Sequence, residues 1–210
     1  MKEMQRIDQQ EIAFPIRASH PGEMVYIDRF GPFRTGDSDC ELLVFSDEGC
    51  SSPTQMNFVP AGMYHAYVRM IKRYLITYGK PRSFSVYPGL LDKKRIKRLG
   101  WSLRRLGIRI VRSDKALNEM RTTLLKRDLL VPFFGQLRKD GVFNLEAGLS
   151  DLFEARTCLR QFFVSLDGYK AIDTGSAYRP LAFKDNLNVL FYRPKGARQF
   201  GKRKSNAGDV

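Results

Sequence analysis

Apolar residues come in short, strand-length blocks over the first third of the chain and recur at helical spacing after that. A polar lead-in over residues 1–20, interrupted by Pro15, precedes an apolar block at 23–30 that predicts a first strand ending at Gly31-Pro32. Residues 35–39 read as a turn and 41–46 as a second strand, so the two pair as an antiparallel hairpin. Residues 55–59 predict a third strand before Pro60 and Gly62. Over 62–78, Met63, Tyr67, Met70 and Tyr74 recur at helical spacing, and Gly79 supplies a stop signal. Residues 83–87 form a short strand closed by Pro88-Gly89. Asp92 is placed to cap a helix over 93–106, with Ile96, Leu99, Leu103 and Leu106 on one face. Gly107 ends that helix and 108–111 is another strand. A helical stretch runs from about 116 to 131 before Pro132, and 143–164 shows helical periodicity again.

The order is a β-hairpin or meander followed by alternating helices and strands. This predicts an α/β protein with a mixed sheet flanked by helices, in the layout of an RNase H-like sheet. The expected organisation is a lead-in over 1–20, one domain over 21–180 and a basic C-terminal tail over 181–210, rich in Arg, Lys and Gly from Arg193 to Lys204.

Charge changes the picture. The 210 residues carry a formal net charge of +14, with a pI of about 9.9. A surplus of that size points to a polyanionic partner, nucleic acid ahead of an anionic membrane. No run of about 18 apolar residues is present, so no transmembrane helix is expected, and residues 1–20 lack the apolar block of a signal peptide. Cys40, Cys50 and Cys158 are odd in number and widely spaced, which fits reduced thiols in an intracellular protein. Two histidines, His20 and His65, with no Cys-x-x-Cys exclude a zinc finger.

The chemistry centres on the segment 21–33, Pro-Gly-Glu-Met-Val-Tyr-Ile-Asp-Arg-Phe-Gly-Pro-Phe. An apolar strand delivers Asp28 to a sheet edge; taken alone, such a residue also serves as a turn cap. The segment resembles the first strand of the catalytic core of retroelement integrases and DDE transposases. Three further segments carry the resemblance: Glu-Leu-Leu-Val-Phe-Ser-Asp-Glu-Gly-Cys at 41–50, Tyr-Gly-Lys-Pro at 78–81, and Leu-Gly-Ile-Arg-Ile-Val-Arg-Ser at 106–113. Together they cover roughly residues 20–170.

The resemblance implies an RNase H-like fold and DNA integration chemistry. That chemistry uses two divalent ions about 3.5–4 Å apart, magnesium or manganese, held by three acids. Asp28 matches the first of these acids and is the implied metal ligand. Tyr87 stands where the second aspartate is expected, and a phenol with pKa near 10 is a poor magnesium ligand. Asp92, five residues on, is either a helix cap or a displaced ligand; Asp47 is either a turn cap or a ligand. The third acid aligns near Asn118, with Glu119 one residue away, about 100° around a helix.

From Lys93 to Arg112 the chain carries nine basic residues and no acid. Lys93, Lys94, Lys97, Arg104 and Arg105 flank the apolar face of the expected helix and suit phosphate contact. Trp101, inside this run, reads as a half-buried packing residue rather than a base-stacking platform. The tail residues Arg193, Lys195, Arg198, Lys202, Arg203 and Lys204 would add backbone contacts, and 201–205 resembles a nuclear import signal.

Three functions follow from these features. The first is an integrase-like core that binds nucleic acid, DNA ahead of RNA, with catalysis impaired at Tyr87. The second is an active, metal-dependent strand transferase or nuclease built on Asp28, Glu119 and either Asp92 or Asp47. The third is an RNase H-like structural subunit of a larger nucleoprotein particle, with RNA as the likelier polyanion. A homodimer or larger nucleoprotein assembly is a partner expectation that applies to all three. The replacement at Tyr87 favours the first and argues against an enzyme.

Overall fold

The computed structural model describes residues 20–36, 38–50, 53–86, 92–112, 115–165 and 177–191. Strands β1 (Met24–Thr35), β2 (Ser38–Asp47) and β3 (Pro53–Pro60) form the antiparallel meander, and helix α1 (Tyr64–Tyr78) follows. Then come β4 (Ser83–Val86), α2 (Lys93–Arg105), β5 (Arg109–Arg112) and α3 (Lys115–Leu125). A π-helical turn over Lys126–Leu130 joins α3 to α4 (Val131–Lys139). A small hairpin, β6 (Phe143–Asn144) and β7 (Gly148–Leu149), leads to α5 (Leu152–Ser165) and a short α6 (Leu187–Phe191).

The main sheet has the order β3-β2-β1-β4-β5, with β4 and β5 parallel to β1. Period-two alternation sends its side chains to two separate cores. Val25, Ile27, Leu43, Phe45, Val59, Phe84 and Val86 pack against α1, α2 and α6. On the other face Phe30, Leu42, Val44 and Phe58 pack against the π-helical turn, α4 and α5. The result is a three-layer α/β/α arrangement with β1 at the centre of the sheet.

Several elements differ from expectation. β1 does not end at Gly31-Pro32; its register with β2 shifts between Phe30 and Phe33, and pairing resumes at Phe33↔Cys40. An irregularity of this kind absorbs residues without ending a strand. Asp28 therefore lies inside β1, not at its tip. Pro132 does not stop the helix either: it follows the π-helical turn, where Leu130 and Val131 stay helical and the Val131 N–H reaches back five residues to the Lys126 carbonyl, so the chain runs through it into α4. Residues 143–149 form a hairpin rather than a helix. There Gly148 has φ +85°, and a Cβ on it would lie 2.5 Å from the Arg34 carbonyl oxygen.

Within the segment expected as tail, residues 181–191 join the folded unit. Leu187 and Phe191 are buried in the first core, and the Lys80 ammonium pairs with Asp185 at 2.6 Å. The preceding residues dock across the strand ends. Lys80 and Arg179 exchange backbone hydrogen bonds of 2.7 and 3.0 Å, and the Arg179 guanidinium donates to the Gly107 carbonyl at 2.9 Å. Apolar surface on 181–191 outweighs the basic composition that follows it.

Candidate functional site

Alternation along β1 places Tyr26, Asp28 and Phe30 on one sheet face. Phe30 enters the second core, whereas Asp28, 2% exposed, sits beside Val44 of β2 near the end of that core. A carboxylate this buried needs a counter-charge. Helix α3 supplies it: the Arg121 guanidinium ion-pairs with Asp28 through Nη2 and Oδ2. The same guanidinium lies over the Tyr26 ring, 3.7 Å from its centroid. Tyr26 in turn donates its hydroxyl to Glu48 at 3.1 Å.

Burial pushes the Asp28 carboxyl above the ordinary carboxylate range, and the charge and hydrogen bond of Arg121 pull it back. Burial lowers the pKa of Arg121, and Asp28 opposes that. In both partners desolvation is the larger effect, the expected balance for an ion pair taken out of water. Arg121 also carries buried Nε and Nη1 atoms without hydrogen-bond partners.

Asn118 lies one turn before Arg121 on the same face of α3. It is 1% exposed, and its Nδ2 is buried without a partner. Glu119, rotated about 100° from it, is exposed. The α3 face turned toward the sheet thus carries an amide and a guanidinium, while the glutamate considered as the third acid points the other way.

The remaining acids serve other ends. Asp47 is buried and accepts from the Gly22 N–H at 2.7 Å, the Gly49 N–H at 2.9 Å and the Tyr178 hydroxyl at 2.6 Å. It caps the turn after β2 and ties the docked segment to the sheet. Burial raises its pKa despite these three donors. Asp92 is exposed and caps α2, accepting from the Arg95 N–H at 2.8 Å and pairing with its side chain at 3.2 Å. Tyr87 lies outside the described residues, as do Arg193, Lys195, Arg198, Lys202, Arg203 and Lys204.

Two-metal chemistry requires clustered carboxylates. Among the described residues no group of three or more His, Cys, Asp or Glu side chains could hold a metal ion. The groups beside Asp28 are donors and a cation, which do not fit a divalent ion.

Helix α2 presents the other candidate surface. Leu99, Ser102 and Leu103 are buried, whereas Lys93, Lys94, Arg95, Lys97, Arg98, Arg104 and Arg105 are exposed. Trp101 is 51% exposed rather than packed inward, and the Arg105 guanidinium lies 4.9 Å from its ring centroid. The Arg98 guanidinium stacks on Tyr64 at 5.5 Å, and Arg95 donates to the Gly62 carbonyl at 3.0 Å. These contacts hold three of the cations against the protein surface. Sequence reasoning missed Arg121; its one available signal was its position three residues after Asn118, on the face aligned with the third acid.

No protein-family model matches this chain, and no curated protein sequence matches it either. Solved structures do match. A chain of the simian T-cell lymphotropic virus intasome, solved in complex with the PP2A regulatory subunit B56 gamma, aligns over 92% of this chain at 10% identity and a TM-score of 0.50. This chain spans 62% of that chain's length. The HTLV-2 integrase catalytic core domain, solved in complex with magnesium in a dimeric form, is 12% identical with a TM-score of 0.50, over 76% of this chain and 95% of that one. At these identities the likeness is one of fold: the five-stranded sheet is that of an RNase H-like integrase core.

Proposed function

We propose that this protein is an integrase-like core that binds nucleic acid through α2 and lacks strand-transfer activity. The observation that carries the reading is the buried Asp28–Arg121 ion pair. In the family this chain resembles, the aspartate of the first strand binds a metal ion. Here its charge is already met by a guanidinium, which has no deprotonated form at physiological pH. A metal would have to displace Arg121 from a stacked, buried position. It would gain no second carboxylate from α3, where Asn118 takes the inward place and Glu119 the outward one.

The polyanion partner is DNA ahead of RNA, held by the exposed Lys93, Lys94, Lys97, Arg104 and Arg105. Phosphate contacts of this kind fix position and carry little base information. Trp101, backed by Arg105, adds a ring against which a base can stack.

The test has two parts. Fluorescence anisotropy with duplex DNA from 50 to 200 mM salt should show a steep fall in affinity, with a log–log slope of about −0.9 per phosphate contacted. Replacing Lys93, Lys94 and Lys97 by Gln should flatten that slope by two to three contacts. Absence of binding at 50 mM salt, or salt-independent binding, overturns the nucleic-acid reading. Calorimetric titration with magnesium and manganese should give no heat of binding in the wild type. Metal binding that disappears in Asp28→Asn overturns the reading of an impaired core.

A further inference from the structure

The opposite edge of the sheet holds a second concentration of positive charge. A cleft of about 100 Å³, open to solvent, runs along β3 between α1 and α5. Arg73 from α1 and Arg156 and Arg160 from α5 line it, with no acidic side chain among the lining residues. Arg73 and Arg160 are exposed, so their charges face the cleft's solvent. Arg156 is anchored: its Nη2 donates to the Phe58 carbonyl at 3.1 Å, and its Nε is buried without a hydrogen-bond partner.

That anchor also fixes which backbone groups face the cleft. In an antiparallel edge strand the N–H and C=O of alternate residues point away from the sheet. The Phe58 carbonyl points outward to Arg156, so the Met56 amide, two residues earlier on β3, points outward as well. Farther along, the Tyr78 hydroxyl covers the Thr54 carbonyl. The Phe58 and Thr54 carbonyls are thus covered, and between them the Met56 N–H and C=O face the cleft. The outward Met56 amide and the side chains of Arg73, Arg156 and Arg160 line a single cleft. A planar fork of donors with a backbone N–H matches the oxygens of a phosphate group.

We infer that the β3-edge cleft bounded by Arg73, Arg156 and Arg160 is an oxyanion site for a single phosphate group. It is separate from the α2 surface, which lies against β5 at the other edge, and it stands whether or not α2 binds nucleic acid. The phosphate comes either from a nucleic-acid backbone or from a free phosphate ester; both present the same oxygens.

The experiment is a titration of inorganic phosphate into the full chain at low salt, followed by the amide resonances of the 15N-labelled protein. The expected result is a saturable shift of the Met56 amide. The variant Arg73→Gln/Arg160→Gln alters exposed positions and should weaken that affinity at least tenfold. The variant Lys93→Gln/Lys94→Gln/Lys97→Gln should retain it. No saturable shift at Met56, an unchanged affinity in the Arg73/Arg160 variant, or loss of the shift in the α2 variant overturns the site. A single-stranded oligonucleotide without terminal phosphate then distinguishes the sources. Displacement of phosphate from Met56 identifies a nucleic-acid backbone; undisturbed phosphate identifies a free ester, and the site stands in either case.

Discussion

Arg121→Met is the sharpest perturbation available, because it removes the counter-charge of Asp28 while keeping an apolar stem over Tyr26. The carboxylate is 2% exposed and would be left without its cation. Breaking a buried pair from one side costs about 3–5 kcal/mol. An independent bound comes from the alternative open to the carboxyl, which is to take up a proton. Starting from its ordinary value of 3.8, holding Asp28 neutral at pH 7 spans 7 − 3.8 = 3.2 pH units, or about 4 kcal/mol at 1.36 kcal/mol per unit. At pH 5 the same step spans 1.2 units, about 1.6 kcal/mol. Loss of the stacked guanidinium adds about 1–2 kcal/mol at either pH.

The variant should therefore be destabilised by about 5–6 kcal/mol at pH 7 and by some 2–3 kcal/mol less at pH 5. Asp28→Asn is the contrasting case: it strands a buried guanidinium that cannot shed its charge, so it too should be destabilising. Asp28→Asn/Arg121→Met removes both charges and should recover most of the loss. Urea unfolding of the four proteins at the two pH values measures all of this. A penalty for Arg121→Met that is below about 1 kcal/mol, or equal at pH 5 and pH 7, would refute the claim that Arg121 is the counter-ion of a buried Asp28.

Other expectations follow from the same structure. Asp47 has a folded-state pKa raised by burial, so the native state holds its proton more tightly than the unfolded chain. Its contribution to stability is complete below the ordinary 3.8 and declines as pH rises through the folded value; Asp47→Asn should flatten that decline in urea midpoints measured from pH 3.5 upward. Gly79 has φ +91° and a Cβ there would lie 2.8 Å from the Arg179 carbonyl oxygen. Gly79→Ala should thus cost about 1–3 kcal/mol and speed proteolytic cleavage near residues 177–191, and an unchanged cleavage rate counts against the docking described for that segment. Asp92→Ala removes an exposed cap and should lower stability by about 1 kcal/mol without altering metal response, as thermal unfolding with and without magnesium would show.

The fold was readable because its local signals agree with its global packing. Alternation in β1 to β3 serves two cores at once, and the Asp92 cap, the Leu99–Leu103 stripe and Gly107 delimit α2 without ambiguity. The misreadings have physical causes. Gly31-Pro32 resembles a turn, but strand pairing on either side tolerates the register shift. Pro132 reads as a helix stop, but the wider π-helical turn before it carries the helix through. The hairpin at 143–149 is fixed by the close approach of Gly148 to Arg34, a contact between residues far apart in sequence.

The site was half readable for a related reason. A strand places Asp28 by a local pattern, so the sequence marks it. Its partner Arg121 is 93 residues away, and nothing in the chain between them encodes the meeting. Yet the two facts constrain each other. In this sheet Asp28 is buried because its neighbours Phe30 and Val44 belong to the core. The buried charge must then be neutralised by a metal, a proton or a cationic side chain. With Arg121 in that role, the ion pair by itself accounts for a buried aspartate at this place in β1. An aspartate on such a strand is therefore weak evidence of activity by itself. Position 121 on α3, one turn after Asn118, discriminates further in this chain, because its arginine occupies the place beside Asp28 that a metal ion would need.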